Sequence, residues 1–320
     1  MTTTLTARGP ADLLAAVPVV LGFHPRDSLV MLTFDAVHSF HARVDLPPPD
    51  EVADSLPELV DALLAPALRQ RVRRVAFVSY SADALVSARV AAALCHAFVG
   101  AGIGVLTVLR AHEGSWCLVP PHPGLDETTP APYDDTSHPF AAQAVFEGLV
   151  THASRDALRD TLATRPEAVA RVRELLAGRA ESGPEDVGWV RDLVTRCATT
   201  GGSPGDPEAA RVLRAVVRAD VRDAALYAVT RETAADHLQV WADLLRRAPE
   251  AQVPDTAAVT AFCAWQAGHG AIAWCAIDRC LDVDPHHRLG LCLAECLARA
   301  VPPSAWEEVG DGRRPRSSSA

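Results

Sequence analysis

Lysine and asparagine are both absent from this 320-residue chain, so all 30 of its basic residues are arginine. Without lysine the chain cannot form a Schiff base with a carbonyl cofactor. It also lacks the lysine that contacts phosphates in P-loop and protein-kinase nucleotide sites. The absence therefore excludes pyridoxal-dependent, ordinary P-loop and kinase mechanisms.

Positive charge is also scarce, since the 40 acidic residues give the chain a net charge of −10. Nucleic-acid binding requires a basic field on the protein surface. The short basic run Arg313, Arg314 and Arg316 lies in a Gly/Pro/Ser-rich tail, and we expect this tail, 310–320, to be disordered. The composition argues against a nucleic-acid partner.

The chain has no apolar run long enough to span a membrane. The stretch from Leu13 to Phe23 is too short, contains Pro18, and lacks the basic flank and cleavage site of a signal peptide. The eight cysteines include no CxxC pair, and free buried thiols fit a reducing compartment. We expect a cytoplasmic protein that does not contact a membrane.

The first 119 residues have the pattern of an α/β domain. Their hydrophobic periodicity predicts strands at 28–35, 39–46, 74–79, 103–109 and 115–119, with helices at 52–70 and 82–99. The first two strands are expected to pair as a hairpin. The sequence therefore predicts an N-terminal mixed β-sheet with crossover helices over residues 1–119.

Residues 120–140 contain six prolines and are predicted to be a Pro-rich linker or loop. Strand signals vanish after this segment, so a helical domain is expected over 141–309. Its predicted helices are 141–151, 155–163, 166–177, 185–197, 207–229, 234–247 and 255–266. The fold class is thus α/β followed by all-α.

The C-terminal sequence GHGAIAWCAIDRCLDVDP resembles half of a tetratricopeptide unit. It places Gly268, Ala273, Leu281 and Pro285 at that motif's relative offsets, where the glycine makes a turn, the alanine permits close helix approach and the proline stops the second helix. No second copy follows at a period of about 34 residues. We predict a tetratricopeptide-like helical hairpin, capped by a helix from His287 to Ala300.

The chain offers no cofactor motif with the required spacing. Gly100, Gly102 and Gly104 close a helix and open a strand, whereas a dinucleotide fingerprint follows a strand and opens a helix. The cysteines near the hairpin lack CxxC or HExxH spacing, so core packing is favoured over zinc. That set comprises Cys263, Cys275, Cys280, Cys292 and Cys296, with His269, His286 and His287 nearby. We predict no metal and no cofactor.

A second set of histidines and aspartates flanks the Pro-rich segment. Such residues serve solvation in many loops, but they could hold a metal if the loop folded back. The set comprises His112, His122 and His138 with Asp126, Asp134 and Asp135. Whether the loop 112–138 binds a metal stays open at this stage.

The segment LLAAVPVVLGFHPRDSLVMLTF, Leu13 to Phe34, joins an apolar helical turn to a strand through a tight polar turn. Its Leu-Gly-Phe-x-Pro-x-Asp-Ser turn resembles the opening signature of an actinobacterial family known as domain of unknown function 4192. PYDDTSHPFAAQAVFEG, Pro132–Gly148, is similar to the same family, and the resemblance extends through Trp306. Members often carry a cysteine pair before the prolines, but this chain reads PPHPG there, so no metal or redox role follows from the resemblance.

One candidate ligand site can be assembled at the strand ends. Ligands in open α/β sheets gather beyond the carboxyl ends of parallel strands, and an antiparallel neighbour would bring the start of the first strand to the same place. Arginine is the natural bidentate anion ligand here. The predicted residues are Arg26, Asp27 and Ser28 of the signature turn with Ser79, Tyr80, Asp83 and Arg110.

Each part of this site also has a purely structural interpretation. Ser81 with Asp83 fits a helix N-cap, and the polar residues from His24 to Ser28 fit a rigid turn. No Ser-His-Asp or paired-carboxylate arrangement can be recognised from spacing, so the catalytic residues are unknown.

Two functions stay open. The leading expectation is an interaction or scaffolding protein that offers the C-terminal hairpin to a protein partner. The alternative is a small-molecule, anion-binding protein or enzyme that uses the strand ends. An exposed apolar patch favours the former, and a pocket with convergent Arg, Asp and Ser groups favours the latter.

Overall fold

A computed structural model describes residues 6–38, 40–120, 128–178 and 182–306. The chain divides into two compact units, Met1–Arg155 with Ala298–Ala300, and Asp156–Leu297 with Val301–Ala320. The sequence pattern predicts an end of the sheet domain at 119, and the first unit extends to Arg155. The predicted disordered tail, 310–320, lies outside the described residues.

The first unit contains a mixed sheet with the strand order β2-β1-β3-β4-β5-β6. β1 runs antiparallel to β2 and β3, β3 runs parallel to β4, and β5 and β6 add antiparallel strands at one edge. The elements in chain order are α1 Pro10–Leu21, β1 Ser28–Phe34, β2 His41–Asp45, α2 Val52–Arg69, β3 Arg74–Tyr80, α3 Ala84–Gly100, β4 Gly104–His112, β5 Ser115–Leu118, β6 Ala131–Pro132 and α4 Pro139–Phe146.

Helices cover both faces of this sheet, so the central strands are apolar along almost their whole length. On one face, Leu63 of α2 and Leu94 of α3 pack with Phe77 of β3. On the other face, Leu14 and Val17 of α1 pack with strand residues, and α4 packs against α1. The strand residues beneath α1 are Val30, Leu32, Val78, Tyr80, Leu109 and Ala111.

The second unit is helical throughout its described residues. Its helices are α5 Arg155–Asp160, which begins at the last residue of the first unit, α6 Pro166–Ala177, α7 Asp186–Thr200, α8 Asp206–Ala215, α9 Ala219–Tyr227, α10 Ala234–Arg247, α11 Val253–Gln266, α12 Gly270–Val283 and α13 Arg288–Ala298. The predicted fold class, a mixed sheet with crossover helices followed by a helical region, is confirmed.

The prediction of a single helix over 207–229 is wrong, because two helices, α8 and α9, occupy this range. Arg218 between them has an extended backbone. Its guanidinium donates to the carbonyl of Gly183 at 2.6 Å and to the carboxylate of Asp220. These bonds hold the break, and residues 208–229 contain neither glycine nor proline.

α11 forms the centre of the second unit. Every residue of this helix except Asp255 is buried, and α11 packs against α9, α10 and α12. α11 and α12 are joined by a short turn in which Gly268 has a φ of +80°, and Ala273 on α12 is fully buried. Both placements are those that the hairpin prediction requires, while its tetratricopeptide likeness stays a prediction.

An aromatic cluster packs the segment 301–306 onto α9 and α11. The Trp306 ring stacks on Tyr227 and meets the Phe262 ring edge-on, with centroids 5.4 and 5.0 Å apart. The Trp265 indole donates to the carbonyl of Val301 at 3.0 Å, and the Gln266 amide donates to the carbonyl of Pro303 at 3.3 Å. This half-buried segment therefore packs against the core of the second unit.

Among the described residues, no helix combines the length and apolar character that crossing a bilayer requires.

Candidate functional site

The structure brings the start of β1 beside the carboxyl ends of β3 and β4. Ser28 pairs with Tyr80 across the antiparallel strands, and Ser79 pairs with Arg110 across the parallel strands. This is the juxtaposition on which the predicted strand-end site was based, and it follows from the antiparallel placement of β1 next to β3.

Strand alternation separates these residues onto the two faces of the sheet. Directly paired residues point to the same face, and consecutive residues point to opposite faces. Ser28 and Tyr80 therefore face α1, whereas Ser79 and Arg110 face α2 and α3. The predicted residues share one end of the sheet, but they form two groups rather than one.

On the α3 face, the polar residues after β3 bond mainly to one another and to the helix. The Asp83 carboxylate caps α3 by accepting from the backbone N–H groups of Leu85 and Val86 at 2.8 and 3.0 Å. The Ser79 and Ser87 hydroxyls are buried and lie 2.8 Å apart. Asp83 and Ser79 thus hold the start of α3 in place.

Arg110 lies at the edge of a surface depression of about 310 Å³. Its Nη1 donates to the carbonyl of Ser81 at 3.4 Å, and its side chain shares a sheet face with Cys117, its partner on β5. The depression is lined by Arg110, His112, Glu113, Ser115, Trp116, Cys117 and Pro130. Arginine, imidazole and hydroxyl groups together can donate several hydrogen bonds to one anion.

On the α1 face, Ser28 is bonded within the turn and to β2. Its hydroxyl donates to the carbonyl of Arg26 and accepts from Nε and Nη2 of Arg43 at 2.9 and 2.6 Å. Asp27 has a left-handed φ of +44°, and its carbonyl accepts from the N–H of Leu46. The side chains of Arg26 and Asp27 are exposed.

The signature turn also carries an ion pair that no local sequence motif indicates. His24 Nδ1 lies 3.2 Å from Asp135 Oδ2, and the exposed fractions of the two side chains are 36% and 16%. The hydrogen bond that the Asp135 carboxylate accepts from His24 raises the pKa of His24 above its usual range, against the opposing effect of burial. His24 and Asp135 both belong to segments that resemble the family. This shared resemblance is the sequence signal from which their contact could have been predicted.

A second histidine–aspartate pair lies at the start of α1. His138 Nε2 is 3.1 Å from Asp12 Oδ1, while His138 Nδ1 accepts from the N–H of Phe140 and so caps α4. A backbone bond from Arg8 and the contact with His138 lower the pKa of Asp12, although burial opposes them. Both pairs therefore join α1 and its flanking turn to the segment before α4.

The Tyr80 hydroxyl is buried and has no hydrogen-bond partner in the part of the chain that the structure describes. Burial, together with the charges of Tyr133 and Asp135, raises its pKa well above the ordinary value. The same two causes, burial and Asp135, raise the pKa of Tyr133 to about 12. Both phenols are therefore neutral across the physiological pH range.

The potential metal ligands noted in the sequence are dispersed into separate contacts. The Asp134 carboxylate accepts from Thr136 and Ser137, which lowers its pKa to about 2. His287 contacts Asp255. Within the described ranges, no three His, Cys, Asp or Glu side chains are grouped as metal ligands. His122 and Asp126 lie outside those ranges.

A family model described as "Domain of unknown function (DUF4192)" matches residues 10–304. No curated protein matches the chain significantly, and neither does any solved structure.

Proposed function

The chain belongs to the DUF4192 family, and from that premise we propose that it is a binding protein for a small anionic ligand, which Arg110 holds at the carboxyl end of β4. The observation that carries the proposal is the depression of about 310 Å³ in which Arg110, His112 and Ser115 meet. A planar guanidinium can hold a carboxylate or phosphate through two parallel hydrogen bonds.

The position of this depression supports a ligand site. β3 and β4 are parallel, and ligands of open α/β sheets bind beyond the carboxyl ends of such strands. Because the Asp83 carboxylate already occupies the first N–H groups of α3, the helix N-terminus is not the anion ligand. The side chains of the β4–β5 hairpin would supply the donors instead.

Thermal denaturation in the presence of inorganic phosphate tests the proposal, with sodium chloride at the same ionic strength as the salt control. For a Kd of about 1 mM, 10 mM phosphate should stabilise the protein by about 1.4 kcal/mol. Arg110→Gln should abolish this stabilisation. Arg74→Gln, at the opposite end of β3 and ion-paired with Asp35 at the surface, is the matched control and should retain it.

The proposal fails if Arg110→Gln and Arg74→Gln are stabilised equally by phosphate, or if sodium chloride gives the same stabilisation as phosphate. Malonate in place of phosphate separates carboxylate recognition from phosphate recognition, because both anions fit the same guanidinium geometry.

The second candidate is the interaction or scaffolding function of the C-terminal hairpin. α11 is buried, so a partner could contact only α12 and α13. Val283 and Leu291 near the turn between these two helices are 39% and 46% exposed, and exposed Asp282 and Glu295 lie close to them in sequence. Exposed Arg288 precedes Leu291 by one turn, so the acidic side beside Val283 is the part that would suit a basic amphipathic helix of a partner protein.

Fluorescence anisotropy with a labelled arginine/leucine amphipathic peptide tests this candidate. Val283→Asp should weaken peptide binding, and Val37→Asp, at an exposed apolar residue of the first unit, should leave it unchanged. Equal affinities for the parent and Val283→Asp would exclude the hairpin as the binding surface. The cytoplasmic location expected from the sequence stays a prediction.

A further inference from the structure

We propose that α1, together with the segment from Tyr133 to His138, is a lid over one face of the sheet, and that the His24–Asp135 ion pair makes the closure of this lid depend on pH. The lid covers the sheet face that carries Ser28 at the start of β1 and Tyr80 at the carboxyl end of β3, and the Arg110 side chain points to the other face. The inference therefore does not rest on the anion-binding proposal.

Both ends of α1 are anchored to the same short segment. Asp12 in the first turn of α1 contacts His138 at 3.1 Å. His24, just after the end of the helix, contacts Asp135 at 3.2 Å. Between these anchors, Leu14 and Val17 cover the apolar strand residues. The two ion pairs thus hold the ends of one helix over a continuous apolar core.

A third contact at the His24 end consists of backbone bonds only. The N–H of His24 donates to the carbonyl of His152 at 3.0 Å, and the N–H of His152 donates to the carbonyl of Gly22 at 2.8 Å. Backbone amides do not titrate in the physiological range. The ion pair therefore adjusts the stability of a closed state that other contacts also support.

The residue beneath the lid favours opening. The Tyr80 hydroxyl is sealed from solvent without a partner in the described structure, and a buried unsatisfied hydroxyl costs free energy that hydration would recover. The closed state must therefore be held by the surrounding contacts. Weakening one anchor is expected to raise the population of the open state.

The sign of the pH dependence follows from His24. Its pKa is raised in the folded state by the hydrogen bond that it donates to Asp135, against the effect of burial. The stabilisation from this pair is therefore fully present below the ordinary histidine pKa of about 6.5, and it is lost as the pH rises through the raised value. The lid should be held more tightly at pH 5.5 than at pH 8.5.

The other shifted groups near the lid do not titrate in this window. Asp135 is the charged group that acts on His24, and it also acts on Tyr80 and Tyr133, whose pKa values lie above the window. The pKa of Asp12 is lowered, first by the backbone bond from Arg8 and also by His138. Asp12 itself therefore becomes protonated only at strongly acidic pH.

Hydrogen exchange measured by mass spectrometry tests the proposal on the full chain. The opening of α1 is compared with that of α3 at pH 5.5 and 8.5, after correction for the intrinsic exchange rate. In the parent protein, α1 should open about two- to fivefold more at pH 8.5 relative to α3, the range expected for a partly exposed ion pair. His24→Gln and Asp135→Asn should each remove this difference.

His38→Gln is the matched control, because His38 is an exposed histidine of the first unit that lies outside both the lid and the Arg110 depression. This variant should keep the pH dependence of the parent. The lid proposal is overturned if the parent shows no change in α1 relative to α3, or if the change persists in Asp135→Asn. Should His24→Gln fail to fold, the parent and Asp135→Asn still decide the question.

Discussion

Replacing Gly290 with alanine tests how closely α13 packs on α12. A Cβ at this position would lie 2.9 Å from Cys280 Sγ and 3.3 Å from Leu281 Cδ2. Cys280 is fully buried, so its thiol has little free space to move into. The contact is shorter than a carbon and a sulfur atom can maintain, so either the Cys280 side chain or the helix backbone must shift to accept the new methyl group.

Two opposing effects set the size of the change. Overpacking a close helix contact costs about 1–3 kcal/mol, whereas alanine is more favourable than glycine inside a helix by about 1 kcal/mol. We expect Gly290→Ala to lower the free energy of unfolding by about 1 kcal/mol, the difference between typical values of the two effects. The helix-propensity effect alone would raise the free energy of unfolding.

Gly188→Ala isolates the propensity effect. Gly188 lies on α7, and a Cβ built there has no neighbouring atom within 4 Å. This variant should be stabilised by about 0.5–1 kcal/mol. Combining Gly290→Ala with Cys280→Ala removes the sulfur atom from the contact, so alanine at position 290 should be stabilising in that background.

Urea-induced unfolding followed by tryptophan fluorescence measures all four variants against the parent. If Gly290→Ala stabilises the protein as much as Gly188→Ala does, then position 290 does not lie against Cys280 at the distance given above. The same conclusion follows if the effect of Gly290→Ala is unchanged by Cys280→Ala.

Three further substitutions test separate contacts by the same measurement. Asp83→Ala removes the cap of α3 and should cost about 1 kcal/mol; an unchanged unfolding midpoint would mean that the cap does not stabilise the helix. Asp255→Ala leaves the partly buried Arg222 and His287 without their shared carboxylate and should cost about 3 kcal/mol. A loss below about 1 kcal/mol would contradict the burial of this network. Ala273→Leu should overpack α12 against α11 and cost about 1–3 kcal/mol, and parent-like stability would rule out the close hairpin contact.

Helix bounds could be predicted where the signals are local. Pro166–Ala177 and Ala234–Arg247 have the bounds that periodicity and flanking residues indicate, with a proline opening the first and Gly178 following it. The break around Arg218 had no such signal. It depends on a bond to the carbonyl of Gly183, a distant residue in the sequence.

The edge strand β6 was not predicted, for a different reason. Ala131 and Pro132 lie in the Pro-rich segment, and proline argues against a central strand. β6 is a two-residue edge strand that pairs with Ser115 and Trp116, a position in which proline is tolerated. Composition alone therefore described the segment only as a linker or loop.

The sequence predicted that the residues of the candidate site lie at one end of the sheet, but it did not predict that they divide between the two faces of the sheet. Burial patterns placed Ser79 and Arg110 at the ends of adjacent strands, and the register pairs them. Ser79 and Tyr80 are consecutive in β3, so their side chains must point to opposite faces of the sheet. They therefore cannot both line a single pocket on one face. The pairing of His24 with Asp135 depends on the path of the chain after β6, which no local pattern specifies.

The packing of Trp306 determines where this polypeptide can be shortened. Removing residues 301–306 would uncover the rings of Tyr227 and Phe262 and take away the carbonyl acceptors of the Trp265 indole and the Gln266 amide. Buried donors that lose their acceptors are costly, and newly exposed aromatic rings promote aggregation. A tag or fusion partner at this end should therefore be joined after Trp306, so that the ring keeps its place against α9 and α11.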